Sequence, residues 1–459
     1  MQDLPLELQQ EIQNLNSDDS NLKRQIAEKY LSEELNDEVA KVLANKLLDD
    51  DIGVRDAVSQ ALIYNENQNI PYFLIPFTTS KMEISTRNLA GEILLKRGTS
   101  SLDAMIEYID EGDDDDKKFL VDLMGLIGDS KPSDKIREIL RTNENENVLL
   151  ACIEALGNIH CVNAVNDIVD AYKRNELFKP TAIEALGNIG SAEAVNFIVE
   201  RYKEEDELTK FSMIESLGLI GDEAAFFLLL SELKHLNGPL TWAAILSLKM
   251  LQDKLGIDVP FDESIKNSLL KTLSEGELKH KRAAASLISV FEDREIILTC
   301  LKIYGTDEEI NEHIKSKFFE NPLYLYPKLS EYLKNMPSNA NMLLGLLGEL
   351  ITFDGGESIQ ELSPLDLRNL CDVLTMYLEH ADEEVRRIAI ELLFFLGLDT
   401  ALLFIDTMIE DDNFWNRLRV VEILENIDDE RAIEGLQKLS EDPEEMVSER
   451  AQEVLNQRS

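Results

Sequence analysis

One short phrase recurs four times between Gly125 and Gly221, and it constrains the fold more than any other feature. It reads Met124-Gly-Leu-Ile-Gly128, Leu156-Gly-Asn-Ile-His160, Leu186-Gly-Asn-Ile-Gly190 and Leu217-Gly-Leu-Ile-Gly221. The closing residues are 32, 30 and 31 positions apart, a period typical of stacked helical repeats. Around each copy the chain follows one plan. An acidic or polar break leads into a helix, here helix A, with an Ala/Leu stripe such as Ile183, Ala185, Leu186 and Ile189. A glycine turn follows, and then a second helix, helix B, carrying Ala194, Val195, Phe197, Ile198 and Tyr202. Neither helix can bury its apolar stripe alone, so neighbouring units must stack.

The phrase divides the chain. Residues 1–48 predict an N-terminal helical cap, needed because a terminal repeat would otherwise expose its apolar face. Regular repeats occupy 49–236, with the period extending back to Gly98 and Asn65. From 237 to 363 the pattern blurs into divergent repeats. Helices are expected there at Thr241–Leu251, Phe261–Leu273, Lys279–Phe291, Glu295–Tyr304 and Met342–Ile351. Breaks are expected at Asn237-Gly-Pro239, Asn321-Pro322, Tyr326-Pro327 and Met336-Pro337, since proline lacks an N–H and restricts its predecessor. Phe353-Asp-Gly-Gly-Glu-Ser358 predicts a hinge or long loop. Residues 364–459 return to clear repeats and end in a polar cap helix.

Charge sets the class of partner. The 459 residues include 89 Asp+Glu against 45 Lys+Arg, a formal net charge of −44. Such a field repels nucleic acid, whose binding rests on phosphate neutralisation, and anionic membrane surfaces likewise. It favours solubility and basic partners. No apolar run approaches a membrane span. Met1-Gln-Asp-Leu-Pro5 shows no secretory signal. Cys152, Cys161, Cys300 and Cys371 form no CxxC pair and are expected to be buried free thiols, which suits a cytoplasmic location.

With these residues laid out, the unit resembles a HEAT repeat, and specifically the short bacterial type named after phycobilisome-lyase HEAT-like repeats. The resemblance rests on Ile153-Glu-Ala-Leu-Gly-Asn-Ile, Ile183-Glu-Ala-Leu-Gly-Asn-Ile-Gly-Ser-Ala-Glu-Ala-Val, and the openings Val54-Arg55 and Val385-Arg386. It covers about three quarters of the chain and fits 237–363 poorly. It implies an all-α, right-handed superhelix of stacked antiparallel helix pairs, with helices B lining the concave surface. It is specific for architecture, and many functions are grafted on such scaffolds.

Placing the units in register exposes columns. Six residues before the turn-closing position, helix A carries Glu92, Asp122, Glu154, Glu184, Glu215 and, in the C-terminal block, Glu422. Eleven before it stand Arg87, Lys117, Lys179, Lys210 and Arg417, with Leu149 as the exception. The acids are either a solvated helix edge or a stripe that receives a basic protein. The bases are expected to satisfy neighbouring carboxylates or carbonyls. The acid runs Asp49–Asp51, Asp113–Asp116, Glu204–Asp206, Asp382–Glu384, Asp411–Asp412 and Glu441–Glu445 precede helices A, where they cap free N–H groups and favour the macrodipole. The aromatics Tyr172, Phe197, Tyr202, Phe226 and Phe227 fall on helices B, and any that are exposed are candidate binding anchors.

No catalytic signature appears. There is no P-loop, Gly-x-Ser-x-Gly, HExxH or dinucleotide fingerprint. His160, His235, His280, His313 and His380 include no His-Glu pair, whereas the di-iron hydroxylases among HEAT-repeat proteins rely on such pairs. His160 replaces a turn glycine and is expected to cap or to lie exposed. No cofactor or metal is expected. The chain is read as a non-enzymatic protein-interaction scaffold or regulatory adaptor. The alternative implied by the resemblance is a phycobilin-lyase-like or chaperone-like subunit that handles a cofactor on an acceptor protein.

Overall fold

The structure, a computed structural model, describes residues 5–288, 293–353 and 355–458. Helices make up all the regular structure among the described residues, and the chain is an all-α solenoid of antiparallel helix pairs. It divides into two compact units, Met1–Ser231 with Asp253–Gly256, and Glu232–Gln252 with Ile257–Ser459. No helix among the described residues is long and apolar enough to cross a membrane.

The first unit opens with α1 (Leu6–Leu15), α2 (Ser20–Lys29) and α3 (Asp37–Asn45). Helices A and B then alternate as α4 (Ile52–Tyr64), α5 (Ile70–Leu74), α6 (Ile84–Arg97), α7 (Leu102–Tyr108), α8 (Asp114–Ile127), α9 (Ser133–Thr142), α10 (Glu146–Asn158), α11 (Val165–Arg174), α12 (Lys179–Ile189), α13 (Ala192–Arg201), α14 (Glu207–Ile220) and α15 (Glu223–Glu232). The starts are chemically marked. Asp51, Asp113 and Asp206 accept backbone N–H bonds from the first turns of α4, α8 and α14, which satisfies donors a helix leaves orphaned. Gly128 and Gly190 end α8 and α12 in the left-handed region, at φ 74° and 67°, where a Cβ would be strained. In α12 the buried face is Ala182, Ile183, Ala185, Leu186, Gly187 and Ile189.

The second unit holds most of α16 (Pro239–Leu255), then α17 (Glu263–Glu275), α18 (Leu278–Leu287), α19 (Arg294–Ile303), α20 (Glu308–Glu320), α21 (Pro322–Leu333), α22 (Ala340–Phe353) and α23 (Glu357–Gln360). It closes with α24 (Pro364–Met376), α25 (Glu383–Leu396), α26 (Leu398–Leu403), α27 (Ile405–Ile409), α28 (Phe414–Leu424), α29 (Glu430–Leu439) and α30 (Glu445–Arg458). The end of the expected helix Lys279–Phe291 and Asp354 of the expected hinge lie outside the described residues. Gly355 and Gly356, at φ 69° and 87°, make the turn after α22.

One expected break is absent. Pro322 starts α21, but Pro327 sits inside it. The helix survives because Leu325, Tyr326, Leu329 and Leu333 anchor one buried face. The carbonyl that loses its partner belongs to Leu323, an exposed residue, so water can satisfy it. The cysteines also differ from expectation in one case: Cys152, Cys300 and Cys371 are buried free thiols, but Cys161 is only half-buried.

A recurrent ion pair joins successive repeats. The base on one helix A reaches the acid run that opens the next: Lys23 to Asp49 at 2.7 Å, Arg87 to Asp115 at 2.6 Å and Lys179 to Glu205 at 2.8 Å in the first unit. In the second unit Arg386 grips Asp411, and Arg417 grips Asp442, each through two bonds of 2.7 and 2.8 Å. The free lone pairs of Asp411 and Asp442 accept the N–H groups of Asn413 and Glu444. Each acid thus links the arginine of one repeat to the backbone of the next. The pattern is not universal: Lys117 and Lys210 make no ion pair among the described residues, and two junctions use side-chain amides. Where the base column holds Leu149, the facing residue is Asn175, whose amide donates to Glu146 at 2.8 Å. Asn143 likewise donates to Asp114 at 3.1 Å. A hydrogen bond from a side-chain amide to a carboxylate stands in place of the ion pair there.

Candidate protein-binding face

The first unit builds its most distinctive surface on α8, α10, α12 and α14, through the phrase that defines the repeat. A Cβ on Gly125 would lie 2.8 Å from Ala155 Cα, and one on Gly157 would lie 2.8 Å from Ala185 Cα. One on Gly187 would meet Ser216 Oγ at 2.6 Å. Helices A therefore pack backbone against backbone, toward the lower end of the usual interaxial range of about 8–10 Å. Helices B touch one another far less and are held apart by large side chains. Tyr172 and Phe197, for example, meet edge to face with centroids 5.1 Å apart.

The aromatics are sorted accordingly. Tyr172, Tyr202 and Phe226 are buried, Phe197 is half-buried, and only Phe227 is exposed. Three of the five are therefore packing residues, and the bulk that keeps helices B apart is their visible role.

The acidic column lies on the outer surface of helices A, and its members differ in one respect. Glu92 pairs with Lys96 at 2.6 Å, and the half-buried Asp122 with Lys118 at 2.6 Å. In the second unit Glu391, at the same place in its repeat, is held by Arg387 and Arg419, and Glu422 by Arg419. Glu154, Glu184 and Glu215 are exposed and have no cation within ion-pair distance among the described residues. The helices A of three consecutive repeats thus present bare carboxylates at one position, where other repeats neutralise it. Aligned like charges repel, and salt screens only part of this.

Sequence reasoning missed a second column, one turn further along each helix. It consists of Leu126, Asn158, Asn188 and Leu219, the variable residue of the repeating phrase itself. Leu126 and Leu219 are 64% and 56% exposed. Asn158 and Asn188 are half-buried, and their side-chain amides have no partner among the described residues. The signal was available: within each copy, this is the position the turn leaves free. Between α8 and α10 the two columns border a groove of about 270 Å³, lined by Lys118, Asp122, Leu126, Ala151, Glu154 and Asn158 around Gly125 and Ala155.

His160, in place of a turn glycine, is exposed and takes the left-handed φ of 55°. Its Nδ1–H donates to the Asn188 carbonyl of the next repeat at 2.5 Å, tying the two turns together. No group of three or more His, Cys, Asp or Glu side chains with metal-binding geometry occurs among the described residues.

A solenoid whose repeats close on this phrase is a HEAT-repeat architecture. The family model for HEAT repeats matches residues 167–249 and 371–456, so the chain carries HEAT repeats in both units. Among solved structures, importin beta is similar at 10% identity and a TM-score of 0.44, over 98% of this chain and 77% of that one. Kap95p, solved with RanGDP, is similar at 12% identity and a TM-score of 0.46, over 98% and 66%. Kap121p bound to the SUMO protease Ulp1p is similar at 10% and 0.40, over 98% and 56%. This chain therefore spans from about half to three quarters of those proteins. No curated protein sequence matches it.

Proposed function

We propose that this chain is a non-enzymatic protein-binding scaffold or regulatory adaptor, and that its helix-A face receives a partner with a basic surface. One observation carries this reading: Glu154, Glu184 and Glu215 stand exposed at one position on the helices A of three consecutive repeats, without cations among the described residues, while Glu92, Asp122, Glu391 and Glu422 are each paired. A surface acid meant only for solubility has no need of this alignment, and an incoming Lys or Arg relieves the repulsion. The buried thiols of Cys152 and Cys300, which burial pushes up to about 12, support a place in the reducing cytoplasm.

The test is quantitative affinity capture from the native lysate with the full chain and with Glu154→Gln, Glu184→Gln and Glu215→Gln combined. A basic protein retained by the first, released as salt rises and lost from the second is the expected result. An identical set of captured proteins from both would refute the role of the column.

A further inference from the structure

We infer that the segment received by this face is an extended, basic stretch of polypeptide that crosses α8, α10, α12 and α14 and carries a Lys or Arg at about every third residue. The inference rests on the protein-binding reading above and adds the conformation and spacing of the partner segment.

The spacing comes from the helix packing. Because Gly125, Gly157 and Gly187 bring successive backbones together, the carboxylates of Glu154, Glu184 and Glu215 recur at about 8–10 Å. A polyproline-type extended chain advances about 3.1 Å per residue with three residues per turn, so one helix step equals about three residues and every third side chain returns to the same face, whereas in a β-strand it would alternate.

The conformation comes from the second column. Asn158 and Asn188 offer amides, each able to donate and accept, beside the carboxylates. A helical partner satisfies its own backbone and has no use for them. An extended chain has free N–H and C=O groups that need such partners. The groove between α8 and α10, about 270 Å³, admits a side chain but not a helix of about 10 Å diameter. The exposed Leu126 and Leu219 flank the array and suit apolar residues at the two ends of the segment. The whole crossing is three helix steps, or about ten residues.

The experiment uses the full chain and three labelled peptides of equal charge, followed by fluorescence anisotropy at moderate salt. In the first, three lysines are spaced every third residue between terminal leucines. In the second the lysines are contiguous, and in the third they sit in an alanine-rich helical sequence. The spaced peptide is expected to bind about tenfold more tightly than the other two, the order expected when three weak ion pairs are matched together. Asn158→Ala with Asn188→Ala is expected to reduce its binding about fivefold, as two lost hydrogen bonds imply, while alanine, the better helix former, preserves α10 and α12. Equal or tighter binding of the helical peptide, no effect of the Asn substitutions, or no binding of any peptide overturns the inference. The basic-partner reading fails separately, if the triple Gln variant captures the same proteins as the unaltered chain.

Discussion

Arg386 on α25 holds both carboxylate oxygens of Asp411 at the opening of the next repeat, by bonds of 2.7 and 2.8 Å, with the Asp411 side chain 2% exposed. Arg417 repeats the arrangement with Asp442 one unit later. Burying a carboxylate is costly, and a bidentate guanidinium offsets that cost when the remaining lone pairs are also used. Here they are used, by the Asn413 N–H.

Removing one partner should therefore cost more than a surface ion pair would. Arg386→Ala leaves a buried charge and is expected to lower the unfolding free energy by about 3 kcal/mol, measured by urea titration. Arg387→Ala, which removes solvent-accessible ion pairs to Glu384 and Glu391 on the same helix, is expected to cost about 1 kcal/mol or less.

The same pairs predict an acid limb. Burial works against the charge on Asp411 and Asp442, but Arg386, Arg417 and backbone N–H groups hold both carboxyls below the ordinary aspartate value of 3.8. The unfolded chain then binds protons more readily than the folded one, so this contribution is complete above that value and is lost as pH falls below it. The fall in unfolding free energy below about pH 4 should be shallower in Arg386→Ala than in the unaltered chain.

His280 acts in the same direction at higher pH. It is 4% exposed beside Trp242, with neither ring nitrogen bonded. Burial, with Lys279 adding to it and Glu277 opposing it, lowers its pKa from 6.5. The unfolded state takes up the proton first, so stability should decrease as pH drops below 6.5. His280→Phe should reduce the difference in urea midpoint between pH 7 and pH 5. An unchanged difference would show that the imidazole carries none of it.

Gly157→Ala sets two effects against each other. Alanine favours a helix by about 1 kcal/mol, but its Cβ would sit 2.8 Å from Ala185 Cα and force backbones apart at about 1–3 kcal/mol. A net loss of stability is expected, while the same change at Gly345, where a Cβ meets nothing within 4 Å, should stabilise. Thermal unfolding of the two variants gives the comparison.

His160 tests the turn. Replacing it with glycine relieves the left-handed strain but loses the bond to Asn188, whereas alanine keeps the strain and loses the bond. The alanine variant should be the less stable by about 1 kcal/mol.

The repeat was legible because glycine and capping acids act locally. Gly128 and Gly190 end helices for reasons of backbone conformation alone, and Asp51 and Asp206 start them with their own side chains. The charged columns were legible as positions but not as states. Whether Glu92 or Glu184 meets a cation depends on a lysine four residues along the helix, present at Lys96 and absent at Asn188. The close approach of helices A is not legible, because it depends on contacts such as Gly125 with Ala155, thirty residues apart. Pro327 was read as a break because its cost is local, while the face that outweighs it is tertiary.

The junctions around α10 have mechanical consequences. Where Arg or Lys would bind an acid of the next repeat, α8, α10 and α12 are linked through Asn143 and Asn175 instead. Under tension along the first unit, each of these links holds by one charge, where those at Lys23 and Lys179 hold by two. Glu154 and Glu184 stand over those single-charge links, so a molecule gripping that face would also load the joints beneath it.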